Sequence, residues 1–206
     1  MQINKQTTED QILIAAEQVF QSKGYQKAKI SDIAAAAGVN NALINYYFRS
    51  KENLFNKVLH NKIELLANSL KDIVNQNKSF LDTIKDLIET QFDFFKENEK
   101  LPRFILSEVF TDQEKADIFG NKIIPAIMDV CGQFEVLLQK EIKKGTVRNI
   151  KMADLFYLII SLNVVCFIIS PILQDGESGV VNDSLSQLTD NRKSKNVEIV
   201  MNYLKI

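Results

Sequence analysis

Only Gly38, Val39 and Asn40 separate two short helix-like segments near the start of this chain, and that joint constrains the fold more than any other feature. The segment 30–37 puts Ile33, Ala34 and Ala37 on one face, the spacing of an amphipathic helix. Gly38 stands where a helix ends in the left-handed conformation, which glycine adopts without steric penalty. The segment 41–48 follows at once. Two short helices joined by a tight, glycine-bearing turn are the helix-turn-helix arrangement. The run Ala34-Ala35-Ala36-Ala37 keeps the first helix thin, so the second packs close to it and projects outward as a rigid rod.

The flanks agree. Thr8-Glu9-Asp10-Gln11 has the capping-box pattern, and Ile12, Ala15, Ala16, Val19 and Phe20 follow at helical spacing until Gly24, a glycine in the C-cap position. Ser50 is an N-cap for a fourth helix with Glu52 in its first turn, and Leu54, Phe55, Val58, Leu59, Leu65 and Leu66 carry that helix past residue 70. Beyond it, Ser79 caps a segment with Phe80, Leu81, Ile84, Leu87, Ile88, Phe92 and Phe95. Pro102 stands at a helix start, and a helix over about 116–144 has Pro125 as a kink or break and stops at Gly145. Residues 152–170 form an apolar helix ending at Pro171, residues 174–191 read as a long loop, and a last helix spans 194–206. With seven glycines, three prolines and no Asn-Gly or Asp-Gly between alternating apolar runs, the predicted class is all-α. The expected division is a helix-turn-helix domain over 1–52 and a helical bundle over 53–206.

Several function classes are excluded early. Hydrophobic residues make up 46% and charged residues 25%, the balance of a soluble globular protein. A net charge of −1 argues against DNA binding by bulk charge, but not against a small reading element with local positive charge. Residues 1–51 hold six cations against four acidic groups, or +2, which leaves −3 for the rest. Cys131 and Cys166 sit in apolar stretches and read as buried small hydrophobes in a reducing cytoplasm, with no metal-ligand spacing. The polar N-terminus has no apolar signal core, so the expected location is cytoplasmic. Residues 155–173 carry no charge over a near-membrane length. Ser161, Asn163, Ser170 and Pro171 interrupt them, and no flanking basic cluster marks a cytoplasmic side, so no membrane partner is expected. The lone histidine, His60, has no catalytic partner, and there is no phosphate loop or spaced ligand set. The chain is therefore read as no enzyme, with no metal and no cofactor.

The candidate reader is the segment 40–47. Three asparagines, Asn40, Asn41 and Asn45, fall in six positions of a helix, although asparagine is a poor helix former. Asn40 or Asn41 caps the helix. Asn45 lies in the second turn, where capping cannot account for it, and asparagine pairs bidentately with adenine. A solvated Asn45 is the competing explanation. Lys51 opposes the dipole of its own helix, which is tolerable if a phosphate bridges the helix N-terminus and the ammonium.

The run Gly24-Tyr25, Ile33-Ala34, Ala37-Gly38-Val39 and Tyr47-Phe48-x-x-Lys51-Glu52-x-Leu54 resembles the N-terminal domain of TetR-type repressors. The resemblance covers about the first 55 residues; beyond it only the helical architecture and the Gly145-x-x-Arg148 step agree. It implies base contacts from Asn41, Ala42, Asn45 and Tyr46, and phosphate contacts from Tyr47 and Lys51. Lys29, Ser31 and Asn40 complete the candidate phosphate set. The family often has tyrosine where this chain has Asn45, a small residue or threonine at Leu43, and threonine at Lys29. These departures bear on the operator sequence more than on the docking mode.

Two such domains on a palindromic operator in double-stranded DNA require a homodimer. Leu155, Ile159, Leu162 and Cys166 of the apolar helix, with Val197, Val200, Met201 and Leu204 of the terminal stripe, are the expected interface, with core packing inside one subunit the competing explanation for part of that surface. A small-molecule effector of largely apolar character would occupy a pocket lined by Phe92, Phe95, Phe104, Met128, Cys131, Phe134 and Phe156, with Asn163 as a polar anchor. The function so implied is a ligand-released transcriptional repressor. The alternative is a helical lipid- or drug-binding protein, membrane-associated through residues 155–173, that no longer binds DNA.

Overall fold

The first helix starts where a carboxylate and a hydroxyl satisfy each other's backbone donors. In the computed structural model, which describes residues 7–76, 78–109, 111, 113–122, 124–174 and 185–206, the Asp10 N–H donates to Thr7 Oγ1 at 3.1 Å. The Thr7 N–H donates back to Asp10 Oδ2, also at 3.1 Å. The capping box is thus Thr7–Asp10, one residue earlier than the Thr8–Gln11 pattern, because a charged acceptor holds the backbone donor better than a neutral amide. Helix α1 (Thr8–Lys27) buries Ile12, Ala15, Ala16, Val19 and Phe20. Gly24, at φ 76° and ψ 160°, interrupts the helix at the position expected of its C-cap, and a last helical turn follows to Lys27.

Helix α2 (Ile30–Ala37) ends at Gly38 in the left-handed region, φ 67°, with the Val39 N–H closing on the Ala34 carbonyl at 3.0 Å. Helix α3 (Asn41–Phe48) packs on α2, and α4 (Lys51–Val74) follows. Ser50 caps α4 as expected, accepting the Asn53 N–H at 3.0 Å. The chain divides into two compact units, and the first runs through Glu64 and takes in the stretch from Phe104. Its core is Ile12, Ala16, Phe20, Ile33, Ile44, Leu54 and Phe55, all at most 2% exposed. Phe55 is the hub, with ring centroids 5.5 Å from Phe20, 4.7 Å from Tyr25 and 4.9 Å from Phe104. Phe104 therefore belongs to the helix-turn-helix unit, and its assignment to an effector pocket is corrected. The boundary expected at 52/53 moves to 64/65 for the same reason, since residues 51–64 of α4 and the later aromatic complete the first core.

The second unit holds residues 65–103 and the chain from 124 onward. Ser79 caps α5 (Phe80–Glu97), and α6 (Leu101–Phe104) runs into a π-helical turn, Ile105–Val109. Helix α7 (Gln113–Lys122) belongs to the first unit, and α8 (Ile124–Lys144) begins one residue before Pro125, where a break was expected. Gly145 ends α8 at φ 68°. Helices α9 (Met152–Gln174) and α10 (Leu185–Leu204) pack on each other and on α5. Both exceed their expected bounds: α9 continues through Pro171, and residues 185–191 are helical instead of loop. A run of weak helix formers is a slight bias that packing overrides. The remainder of that expected loop, 175–184, lies outside the described residues.

Four of the expected interface residues, Leu155, Ile159, Val200 and Leu204, are 0% exposed and form the core of their own subunit. Leu162, Cys166, Val197 and Met201 are half-buried at its edge. The face of α9 that does meet solvent is Ala153, Tyr157, Ser161, Val165 and Ile169, a regular i, i+4 stripe. By length and composition alone, Met152–Ile169 is apolar enough to cross a membrane, and only 28% of it is buried.

Three primary amides tie α5, α9 and α10 together. Asn163 Nδ2 donates to the Ile88 carbonyl and to Gln91 Oε1, both at 3.0 Å. Asn196 Nδ2 donates to the Leu162 carbonyl at 3.0 Å and to Asn163 Oδ1 at 2.9 Å. Asn163 thus spends both protons and an acceptor within the core, so its expected part as a free anchor for an effector is corrected. Met128 is 59% exposed and lines no interior. Phe92, Phe95, Cys131 and Phe134 are buried and Phe156 half-buried, with the Phe92 ring tilted against Phe167 at a centroid distance of 5.2 Å.

Candidate nucleic-acid interface

The geometry of α3 follows from its two inward residues. Ile44 and Phe48, one turn apart, are buried, and this fixes the rotation of the helix on α2. Asn41, Ala42, Asn45 and Tyr46 are all exposed, with Tyr47 beside them. Tyr46 is 75% exposed, with its ring edge-on to Tyr47 at 5.3 Å. All four residues read as base contacts thus share one solvent-facing side of a short, rigid helix.

Asn40 has a structural duty: its Oδ1 accepts the Leu43 N–H at 2.8 Å, which makes it the N-cap. Lys29 and Ser31 are exposed at the start of α2. Lys23 pairs with Asp32 at 2.9 Å, and this contact, with the Lys29 N–H, holds the Asp32 carboxyl below the usual carboxylate range. His60 lies 3.6 Å from Glu64 one turn on, a surface pair.

Lys51 turns inward. Its ammonium donates to the carbonyls of Tyr25, at 3.0 Å, and Ala28, at 3.1 Å, and sits 4.3 Å over the Tyr25 ring. A cation there meets the carbonyl end of α1, which offsets its unfavourable place in the first turn of α4. The outward cation at this corner is Arg49, which sequence reasoning counted only as charge. Arg49 is the single residue between the last residue of α3 and the N-cap of α4, and it has φ 67° and ψ −42°. The Ser50 N–H reaches back to the Phe48 carbonyl at 2.7 Å, closing a γ-turn of the rare positive-φ kind. The signal was there to read: one residue between a helix end and the next cap leaves no room for an ordinary turn.

A family model described as bacterial regulatory proteins, tetR family, matches residues 12–58. The chain is 27% identical over 103 residues to the HTH-type transcriptional activator FasR of Mycolicibacterium smegmatis, 50% of this chain and 47% of that protein. The chain spans about half the length of such curated relatives. It is 29% identical over 138 residues to the biofilm operon negative transcriptional regulator IcaR of Staphylococcus aureus, 66% of this chain and 67% of that protein. In fold it is similar to the transcriptional regulator FadR of Bacillus subtilis, solved in complex with stearoyl-CoA, with a TM-score of 0.69 at 18% identity over 91% of this chain and 96% of that one. The matched residues are those that build the α1–α4 corner and its exposed reading helix, and over them the chain is similar to the tetR family of bacterial regulatory proteins.

Proposed function

We propose that this chain is a sequence-specific DNA-binding transcriptional regulator, a cytoplasmic homodimer that represses from a palindromic operator and is released by a small, largely apolar effector. One observation carries the reading: Asn41, Ala42, Asn45 and Tyr46 share the solvent-facing side of α3 while Ile44 and Phe48 anchor the helix behind them. A helix so held enters a major groove with its N-terminal residues toward the base edges. Asn45 then reads an adenine, and Tyr47, Lys29 and Ser31 hold phosphates. Asn40 acts through its cap, and Lys51 through its grip on the end of α1.

The dimer is supported by the stripe Tyr157, Ser161, Val165 and Ile169, with Ile199 and Tyr203 exposed on α10. Apolar surface in a continuous row is covered by a partner in a soluble protein. The effector class is supported by FadR, whose structure holds stearoyl-CoA, and by the phenylalanine-rich core around Phe92, Phe95 and Phe134. Because α4 supplies residues to both units, it is the element through which an effector in the second acts on the first. Of the relatives, IcaR is a negative regulator and FasR an activator, and repression is the sign proposed here.

The test is selection of bound duplexes from a random pool by the purified chain. The expected product is a palindrome with half-sites about one helical turn, ~34 Å, apart or a multiple of it. Recovery of no enriched site would falsify the proposal. A second reading, membrane association through Met152–Ile169, is favoured by the length and apolarity of that helix alone. It predicts that the chain needs detergent to leave the membrane fraction.

A further inference from the structure

We infer that Arg49 is a dedicated phosphate contact, placed at the α3–α4 corner by a strained γ-turn that is kept for the sake of its side chain. The inference deepens the DNA-binding reading and rests on it. Three observations converge on this residue. Its backbone sits at φ 67° and ψ −42°, and it is the one non-glycine residue at positive φ among those described. Glycine takes such dihedrals freely, whereas a residue with a Cβ does so against steric resistance and persists where the surroundings impose it.

The surroundings do impose it. The Arg49 N–H is committed to the Asn45 carbonyl at 3.0 Å as the last bond of α3, and the Ser50 N–H to the Phe48 carbonyl at 2.7 Å. Phe48 is buried on one side of the joint, and Ser50 is occupied on the other as the cap of α4. The turn itself would be served as well or better by glycine, so the joint explains the dihedrals but not the arginine.

The side chain is exposed and makes no ion pair with any described residue, whereas the other cation of the corner, Lys51, is folded onto the Tyr25 and Ala28 carbonyls. The guanidinium follows directly on the helix whose exposed face carries Asn41, Asn45 and Tyr46. A helix lying in the major groove has a phosphate backbone at its C-terminal flank. There a planar fork of five donors takes a phosphate bidentately, which a lysine cannot do. Arg49 on this account sets how firmly, and not where, the reading helix sits.

The discriminating substitution is Arg49→Gly, since it removes the charge and relieves the turn together. Three forms are compared on the duplex selected by the wild-type chain: wild type, R49G and R49K. Binding is followed as a function of salt, and thermal unfolding is followed without DNA. R49G is expected to melt at or above the wild-type temperature while binding about tenfold or more weaker at low salt. Its log K against log salt should be shallower by about one per reading helix, hence about two for a dimer on a palindrome. R49K should recover the slope and only part of the affinity. Wild-type affinity and slope in R49G overturn the inference, as does loss of binding that tracks a lowered melting temperature, which would make the residue a structural strut. A wild-type chain that selects no duplex overturns the DNA-binding reading itself, and is distinguishable because no comparison among variants is then needed.

Discussion

The Lys51 ammonium lies 4.3 Å above the Tyr25 ring and donates to the Tyr25 carbonyl at 3.0 Å, so a residue at the start of α4 closes the end of α1. The contact spans 26 residues of chain and joins the two ends of the helix-turn-helix. It also takes the lysine away from the solvent-facing side on which a phosphate would lie.

Lys51→Met therefore tests position against charge. Methionine keeps the aliphatic stem but leaves the Tyr25 and Ala28 carbonyls without the ammonium, and Ala28 is only 1% exposed. The expected loss is about 1–3 kcal/mol, the magnitude of a buried acceptor left unpaired. For a chain of this size that is a fall of roughly 2–4 °C in Tm per kcal/mol. The salt slope of DNA binding should stay as in wild type. A slope that falls by about one per subunit would return Lys51 to the phosphate set.

Asn45→Ala should change which sequence is chosen more than how strongly DNA is bound. Asn45 is exposed in the second turn of α3, clear of the cap made by Asn40. A bidentate asparagine–adenine pair is worth about 1–3 kcal/mol of discrimination at one base pair. Selection from a random pool with N45A should lose the preference at one position in each half-site and keep the others. The same consensus from both forms would leave Asn45 as a merely solvated residue.

Residues that punctuate helices were legible from sequence alone; which side of a helix meets solvent was legible only where a single face is apolar. Gly38, Gly145, Ser50 and Ser79 end or begin helices as their chemistry dictates. In α3 the base-contacting candidates are those the family resemblance implies, and with Ile44 and Phe48 buried all four of them are exposed. In α9 nearly every residue is apolar and periodicity carries no direction, so the pattern does not separate interface from subunit core, and Leu155 and Ile159 fall in the core. Phe104 was misplaced for a different reason: its partner, Phe55, is far away in sequence, and no local pattern records such a pairing. Arg49 was missed because charge was counted without asking what backbone the joint required.

The amide chain makes an asymmetric prediction. Asn163→Leu conserves volume but strips donors from Gln91 Oε1 and an acceptor from Asn196 Nδ2, so about 3 kcal/mol or more should be lost. Asn196→Leu should be milder. Its Oδ1 has no hydrogen-bond partner among the described residues to lose, the Leu162 carbonyl it serves lies inside α9, and only Asn163 Oδ1 is left without its donor. Denaturant melts of both variants check the order; equal losses, or a larger one for N196L, would mean that the chain does not run in the direction the distances give.

Burial pushes the thiols of Cys131 and Cys166 up to about 11 each. The folded pKa lies above the unfolded value of about 8.5. A raised thiol pKa leaves stability untouched below the unfolded value, where both states hold the proton. As pH climbs from about 8.5 toward 11 the unfolded chain releases protons that the folded chain keeps, so stability declines through that window. Alkylation of the native chain at pH 8 should be slow and should accelerate on unfolding. Rapid labelling of either cysteine in the native state at that pH would contradict the burial.

The exposed stripe of α9 separates a subunit core from a subunit contact. Val165→Glu places a charge where the side chain is 43% exposed, so the isolated subunit tolerates it and its helical circular dichroism should match wild type. Two such charges facing one another across a dimer are desolvated and unpaired, an arrangement costing about 3–5 kcal/mol when a buried charge lacks its partner. V165E should therefore sediment as a monomer at micromolar concentration and lose palindrome binding while single half-sites are still recognised weakly. Ile159→Ala, at 0% exposure, should do the reverse: it lowers the melting temperature, with about 2–5 kcal/mol lost to the cavity, and leaves the dimer intact. If V165E instead sediments as wild type does, the stripe faces something other than a second copy. If the wild-type chain leaves the pellet only in detergent, that something is a bilayer.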